Sequence, residues 1–136
     1  NKLKRKKKCS EICILFKYEN NINAVLNDEC SINLGTVYEA VVAQELRAHG
    51  FDLYYYDNKQ YGEVDFLIDN YSTLSVVPLE IKSGKDYYVH SALNHFVSNK
   101  EYGIQNAIVL SNNAEVIQKK KIIYMPIYYV MFIKPN

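Results

Sequence analysis

The chain has 136 residues, 49% of them hydrophobic, with a formal net charge of +1. That length fits one domain around one core, and that apolar share argues against a disordered chain. No apolar run approaches the roughly 20 residues of a membrane-crossing helix, and the basic start leads only into a short apolar patch, 12–16, with no small-residue cleavage site, so it does not read as a signal peptide.

Residues 1–33 read as a basic, Asn-rich entry segment, the tail of a preceding domain. The chain opens on Asn rather than Met and reads as a piece of something longer. Six of its 16 basic residues fall within 2–8, leaving 10 basic against 15 acidic residues elsewhere. Such a run either binds phosphate backbones or stays a solvated, mobile segment. The acidic remainder is no electrostatic footprint for nucleic acid by itself. Cys9, Cys13 and Cys30 match no common zinc spacing and read as reduced thiols of a cytoplasmic protein. The patch 12–16 is too short to assign as strand or helix from its period.

From Gly35 the pattern sharpens into a domain over 34–136. Val37 to His49 has the spacing of an amphipathic helix, with Gly50 as its stop. Phe51 to Asp57 is aromatic-rich and predicts a strand. Turns at 60–62 and 70–73 lead into strands over Glu63 to Asp69 and Ser75 to Lys82. Pro78 predicts an edge or a bulge for its part of the third strand. A loop over Ser83 to Asp86 precedes a helix from His90 to Lys100. A short apolar strand over Gln105 to Ser111 follows, then a strand at Lys121 to Tyr124 and a strand or short helix over Ile127 to Ile133. A helix between strands implies a right-handed parallel crossover, so the fold class is α/β: a mixed sheet in the order α-β-β-β-α-β, with helices on both faces.

The chemistry concentrates on strands two and three. Side chains alternate along a strand, so Glu80 and Lys82 share a face. Strict alternation puts Val64, Phe66, Ile68, Val77, Leu79 and Ile81 in one layer and Glu63, Asp65, Glu80 and Lys82 in the other. Three acids on a face that a helix covers conflict with ordinary core design, and such conflicts mark functional sites. Asp65 and Glu80 can equally be partly exposed strand carboxylates, or ion-paired with Lys82. Glu39 lies three, four and seven residues before Val42, Ala43 and Leu46, on the apolar stripe of the first helix. There it is either an acid belonging to the site or the last member of a capping box, Thr36-Val37-Tyr38-Glu39. Lys85, in the loop beside these residues, and His90, at the start of the next helix, are candidate contacts to a nucleic-acid backbone; each also reads as a solvated loop lysine or a helix-start residue.

Gly62-Glu63-Val64-Asp65 followed by Glu80-Ile81-Lys82 resembles the signature of the PD-(D/E)XK nuclease superfamily, with its restriction-endonuclease-like fold. Val64 stands where the superfamily has Pro. More narrowly, Leu34 to Glu39, Val42 to Leu46, Leu53 to Tyr56, Glu63 to Ile68, Pro78 to Lys85 and Ala107 to Ser111 resemble a family of unknown function found at the C-terminus of predicted bacterial AAA-type ATPases. The likeness spans roughly residues 34 to 133. It implies a nuclease-like domain acting on DNA, with Mg2+ or Mn2+ held by Asp65, Glu80 and Glu39. It implies that Lys82 positions or polarises the attacking water, and that an ATPase domain precedes this piece. A catalytically silent DNA-sensing or protein-interaction module on the same fold is the other implied role. No phosphate-binding Gly-x4-Gly-Lys-Ser/Thr loop occurs, so ATP binding by that route is not expected.

Overall fold

Alternating apolar residues build a sheet here, and two apolar helical stripes cover it. A computed structural model describes residues 4–5, 34–84 and 86–135. The expectations for Cys9, Cys13, Cys30, the patch 12–16 and Lys85 lie outside the described residues. The elements run β1 (Lys4–Arg5), α1 (Leu34–Ala48), β2 (Tyr54–Asn58), β3 (Gly62–Asn70), β4 (Ser75–Lys82), α2 (Ser91–Ser98), a 3-10 turn (Lys100–Tyr102), β5 (Ala107–Ser111), β6 (Ile117–Lys119), β7 (Ile122–Pro126) and a 3-10 helix (Ile127–Phe132). The α/β class and the order helix, three strands, helix, strand therefore hold from α1 to β5. Among the described residues no helix is long and apolar enough to cross a membrane.

The sheet order is β1-β2-β3-β4-β5-β7-β6. Strands β2, β3 and β4 form an antiparallel meander, β5 joins β4 in parallel after the α2 crossover, and β7 joins β5 in parallel. β1 adds two residues of backbone pairing to the outer edge of β2, so part of the basic run is tied to the sheet.

Two apolar layers fix the sheet between its helices. On one face Val42 and Leu46 of α1 pack with Phe66, Leu79, Ile81 and Val130. On the other, Leu93 and Phe96 of α2 pack with Val64, Leu67, Val109 and Tyr124. At about 25 cal/mol per Å2 of buried apolar surface, these layers are the main favourable term in folding. Gly50 closes α1 as expected. It stands at φ +92, its N–H donates to Arg47 O at 3.0 Å, and Phe51 N donates to Leu46 O at 3.0 Å. That paired closure is the left-handed C-cap glycine favours.

Three expectations are corrected. Helix α1 begins at Leu34, so Thr36 lies within its first turn and cannot be the N-cap of a box closed by Glu39. Pro78 is fully buried on a central strand, not on an edge. It is tolerated because β5 pairs with β4 only from Leu79 onward, so a proline nitrogen at 78 removes no bond from that ladder. Strict alternation in β3 also fails, because Val64 packs with Leu67 on the α2 face while Phe66 and Ile68 face α1.

Candidate functional site

That break in alternation is what shapes the site. Tyr56 pairs with Val64 and Tyr54 with Leu67, so Asp65 and Phe66 together oppose Tyr55. One extra residue on β3 is a β-bulge, which bends the strand and re-aims a side chain. On its other side β3 pairs with β4 from Phe66–Leu79 to Asn70–Ser75, and that register stops one step short of Asp65 and Glu80. The Asp65 carboxylate is turned into the gap, where Oδ2 accepts a hydrogen bond from Ile81 N at 2.7 Å. A side chain thus takes the place of a backbone acceptor where the ladder opens.

Glu80 projects from the next strand. Leu79 and Ile81 face α1, so Glu80 and Lys82 face α2. Glu80 is only 6% exposed. Its Oε1 accepts from Lys82 Nζ at 2.8 Å, while its buried Oε2 has no hydrogen-bond partner among the described residues. A carboxylate taken out of water needs its oxygens satisfied, so a half-paired buried acid marks a place for a further donor or a cation. Lys82, with its side chain 30% exposed, bridges this buried carboxylate and the solvent.

Asp65, Glu80 and Lys82 therefore sit on adjacent strands at the mouth of the bulge. Glu39 lies on α1, which covers the face carrying Leu79 and Ile81, opposite the one from which Glu80 projects. Among the described residues no three His, Cys, Asp or Glu side chains gather into a group able to hold a metal. Glu63 is exposed.

His90 precedes α2 as expected, but its ring turns inward rather than toward solvent. It is 5% exposed, with Nε2 hydrogen-bonded to Tyr124 Oη at 2.8 Å and Nδ1 without a partner among the described residues. A ring so enclosed offers no open face to a phosphate. Burial pushes its imidazole below the ordinary 6.5, its own backbone, the Glu80 carboxylate and the Asn94 side chain oppose that fall, and Lys82 adds to it. Burial likewise raises the Tyr124 phenol. Tyr124 was not singled out in the sequence. It is 34 residues beyond His90 and two strands from Glu80, in the row Glu80, Val109, Tyr124 across β4, β5 and β7. Only the parallel register brings it there, and no local spacing signals that register. Nearby, Tyr88 packs edge-on to Tyr124 at 4.9 Å between centroids, with Lys119 Nζ 3.7 Å above the Tyr88 ring.

The donor set of Asp65 and Glu80 is hard oxygen, which suits magnesium or manganese rather than a thiolate-seeking ion. The unpartnered Glu80 Oε2 fits such an ion, since magnesium is commonly bound through one or two carboxylates and completes its shell with water and substrate oxygens.

Comparison with known proteins bears out membership of a family of unknown function. No curated protein and no solved structure matches the chain. A family model matches residues 34–130, from the first residue of α1 into the last 3-10 helix, and so covers the sheet from β2 to β7 together with both helices. The chain belongs to the family described as a domain of unknown function, DUF4143.

Proposed function

We propose that this domain is a magnesium- or manganese-dependent, nuclease-like phosphodiesterase acting on DNA, related to the PD-(D/E)XK superfamily and carried at the C-terminus of an AAA-type ATPase. The observation that carries the reading is the buried Glu80 carboxylate, half paired with Lys82 and half open, on the strand beside the bulge that re-aims Asp65. Asp65 and Glu80 would hold the ion. Bound there, the ion supplies Lewis-acid stabilisation of the charge that develops on a phosphate. Lys82 carries three N–H donors, of which Glu80 takes one. The others can orient an attacking water or meet a phosphate oxygen, where a fixed ammonium in a partly desolvated site acts strongly. Glu39, on the α1 side, serves at most as an outlying acid in this scheme.

A second reading has its own observation. With no third carboxylate grouped with them among the described residues, and with Lys82 already neutralising Glu80, the same fold suits a catalytically silent module that binds DNA or protein for its ATPase. Supercoiled plasmid and Mn2+ separate the two. The hydrolase reading expects nicking that disappears in Asp65→Ala, Glu80→Ala and Lys82→Ala, with Lys82→Ala still binding the ion. Plasmid binding with no nicking at any Mn2+ concentration supports the silent module.

A further inference from the structure

We propose that His90 is a positioning residue for Glu80, held by Tyr124 as the Nδ1–H tautomer and donating toward the unpartnered Glu80 Oε2 through one water. Three observations converge. Glu80 Oε2 and His90 Nδ1 are the two buried side-chain polar atoms that lack a hydrogen-bond partner among the described residues. Both belong to side chains that are more than nine-tenths buried. Both lie on the α2 side of the sheet, where Glu80, Val109 and Tyr124 form one row and Tyr124 Oη meets His90 Nε2 at 2.8 Å.

Hydrogen-bond bookkeeping then selects one polarity. A phenol has one proton to give, and a neutral imidazole has one donor nitrogen and one acceptor nitrogen. If Tyr124 O–H donates to Nε2, the ring proton sits on Nδ1 and the open carboxylate oxygen gains a donor. All three buried groups are then served. If Nε2–H donates to Tyr124 instead, the Tyr124 proton has no other acceptor among the described residues. In that case Nδ1 is a lone pair with no donor, and Glu80 Oε2 remains open. Buried polar groups are paired in the great majority of proteins, which favours the first arrangement. Burial also raises the Tyr124 phenol, keeping its proton available to give.

The role follows from the carboxylate's two ends. Lys82 fixes Oε1 and His90 fixes Oε2, so the carboxylate plane is set by groups on β4 and at the start of α2. Glu80 lies on β4, and a carboxylate oriented by two donors presents its remaining lone pairs in one direction.

The ring's tautomer is independent of the hydrolase reading, whereas any effect on metal binding rests on it. Long-range 1H–15N correlation on 15N-labelled wild-type protein assigns protonation at each ring nitrogen. The expected result is a protonated Nδ1 and an unprotonated Nε2. A wild-type ring protonated on Nε2 overturns the proposal. Mn2+ titration supplies the second readout. His90→Asn, whose amide nitrogen falls near the place of Nδ1, keeps wild-type affinity. His90→Phe, which retains the bulk without a donor, loses about tenfold or more. Equal affinity in both variants also overturns the proposal. Wild-type protein that binds no Mn2+ removes the metal-dependent reading and leaves the tautomer to decide this one.

Discussion

Replacing Lys82 by Met keeps the length of the side chain and removes its charge, leaving Glu80 buried without its ammonium. Lys82 Nζ is 2.8 Å from Glu80 Oε1, and the Glu80 side chain is 8% exposed. Breaking a buried ion pair from one side costs about 3–5 kcal/mol, because the stranded charge stays desolvated. Here the Lys82 side chain is 30% exposed, so solvent already screens part of the pair. The expected loss is therefore about 2 kcal/mol. In a Glu80→Gln background no charge is stranded, and Lys82→Met should cost about 0.5 kcal/mol or less, a coupling of about 1.5 kcal/mol for residues in direct contact. Urea unfolding of the wild type, both single variants and the double variant at neutral pH closes the cycle. An equal cost of Lys82→Met in both backgrounds would refute the idea that Lys82 compensates a buried carboxylate.

Three further predictions rest on single features. His90 has a folded-state pKa below 6.5, so between that value and about 6.5 the unfolded chain binds more protons, and stability falls as pH drops below about 6.5. Subtracting the pH–stability curve of His90→Phe from that of the wild type should isolate this decline, and a flat difference would remove it. Gly62 stands at φ +92, and a Cβ there would lie 3.3 Å from Ala92 Cβ, so Gly62→Ala should cost about 1–3 kcal/mol in urea unfolding. Leu74 sits at φ +49 in the β3–β4 turn and is 91% exposed, so Leu74→Asn should raise stability by about 0.5–1 kcal/mol; an unchanged or lowered urea midpoint would count against strain at that turn.

The fold was legible where one period dominates. Helical spacing from Val37 to Leu46, with Gly50 past the end, located α1. The three strands in succession gave the meander, and the helix between β4 and β5 gave the parallel crossover. Asp65, Glu80 and Lys82 stood out for a physical reason: strand carboxylates beneath a helix violate core patterning unless something pairs with them. Other features depended on contacts that sequence spacing does not record. The bulge at Asp65–Phe66 is a disagreement of one residue between two strands, and neither strand shows it alone. It moved Val64 to the α2 face. Pro78 misled because its tolerance depends on where β5 begins to pair. Tyr124 was invisible because its place beside His90 is created by two parallel pairings, β4 with β5 and β5 with β7. His90 was placed correctly at the head of α2, yet whether its ring turned outward or inward depended on that same tyrosine.

The account turns on Asp65 and Glu80 sharing one divalent ion across the opened end of the β3–β4 ladder. Calorimetric titration of Mn2+ into the wild type, Asp65→Ala and Glu80→Ala measures this most directly. The account predicts one site in the wild type and its loss in each variant, with all three proteins folded by circular dichroism. Equal binding in all three, or a folded wild type that takes up no ion, would contradict it.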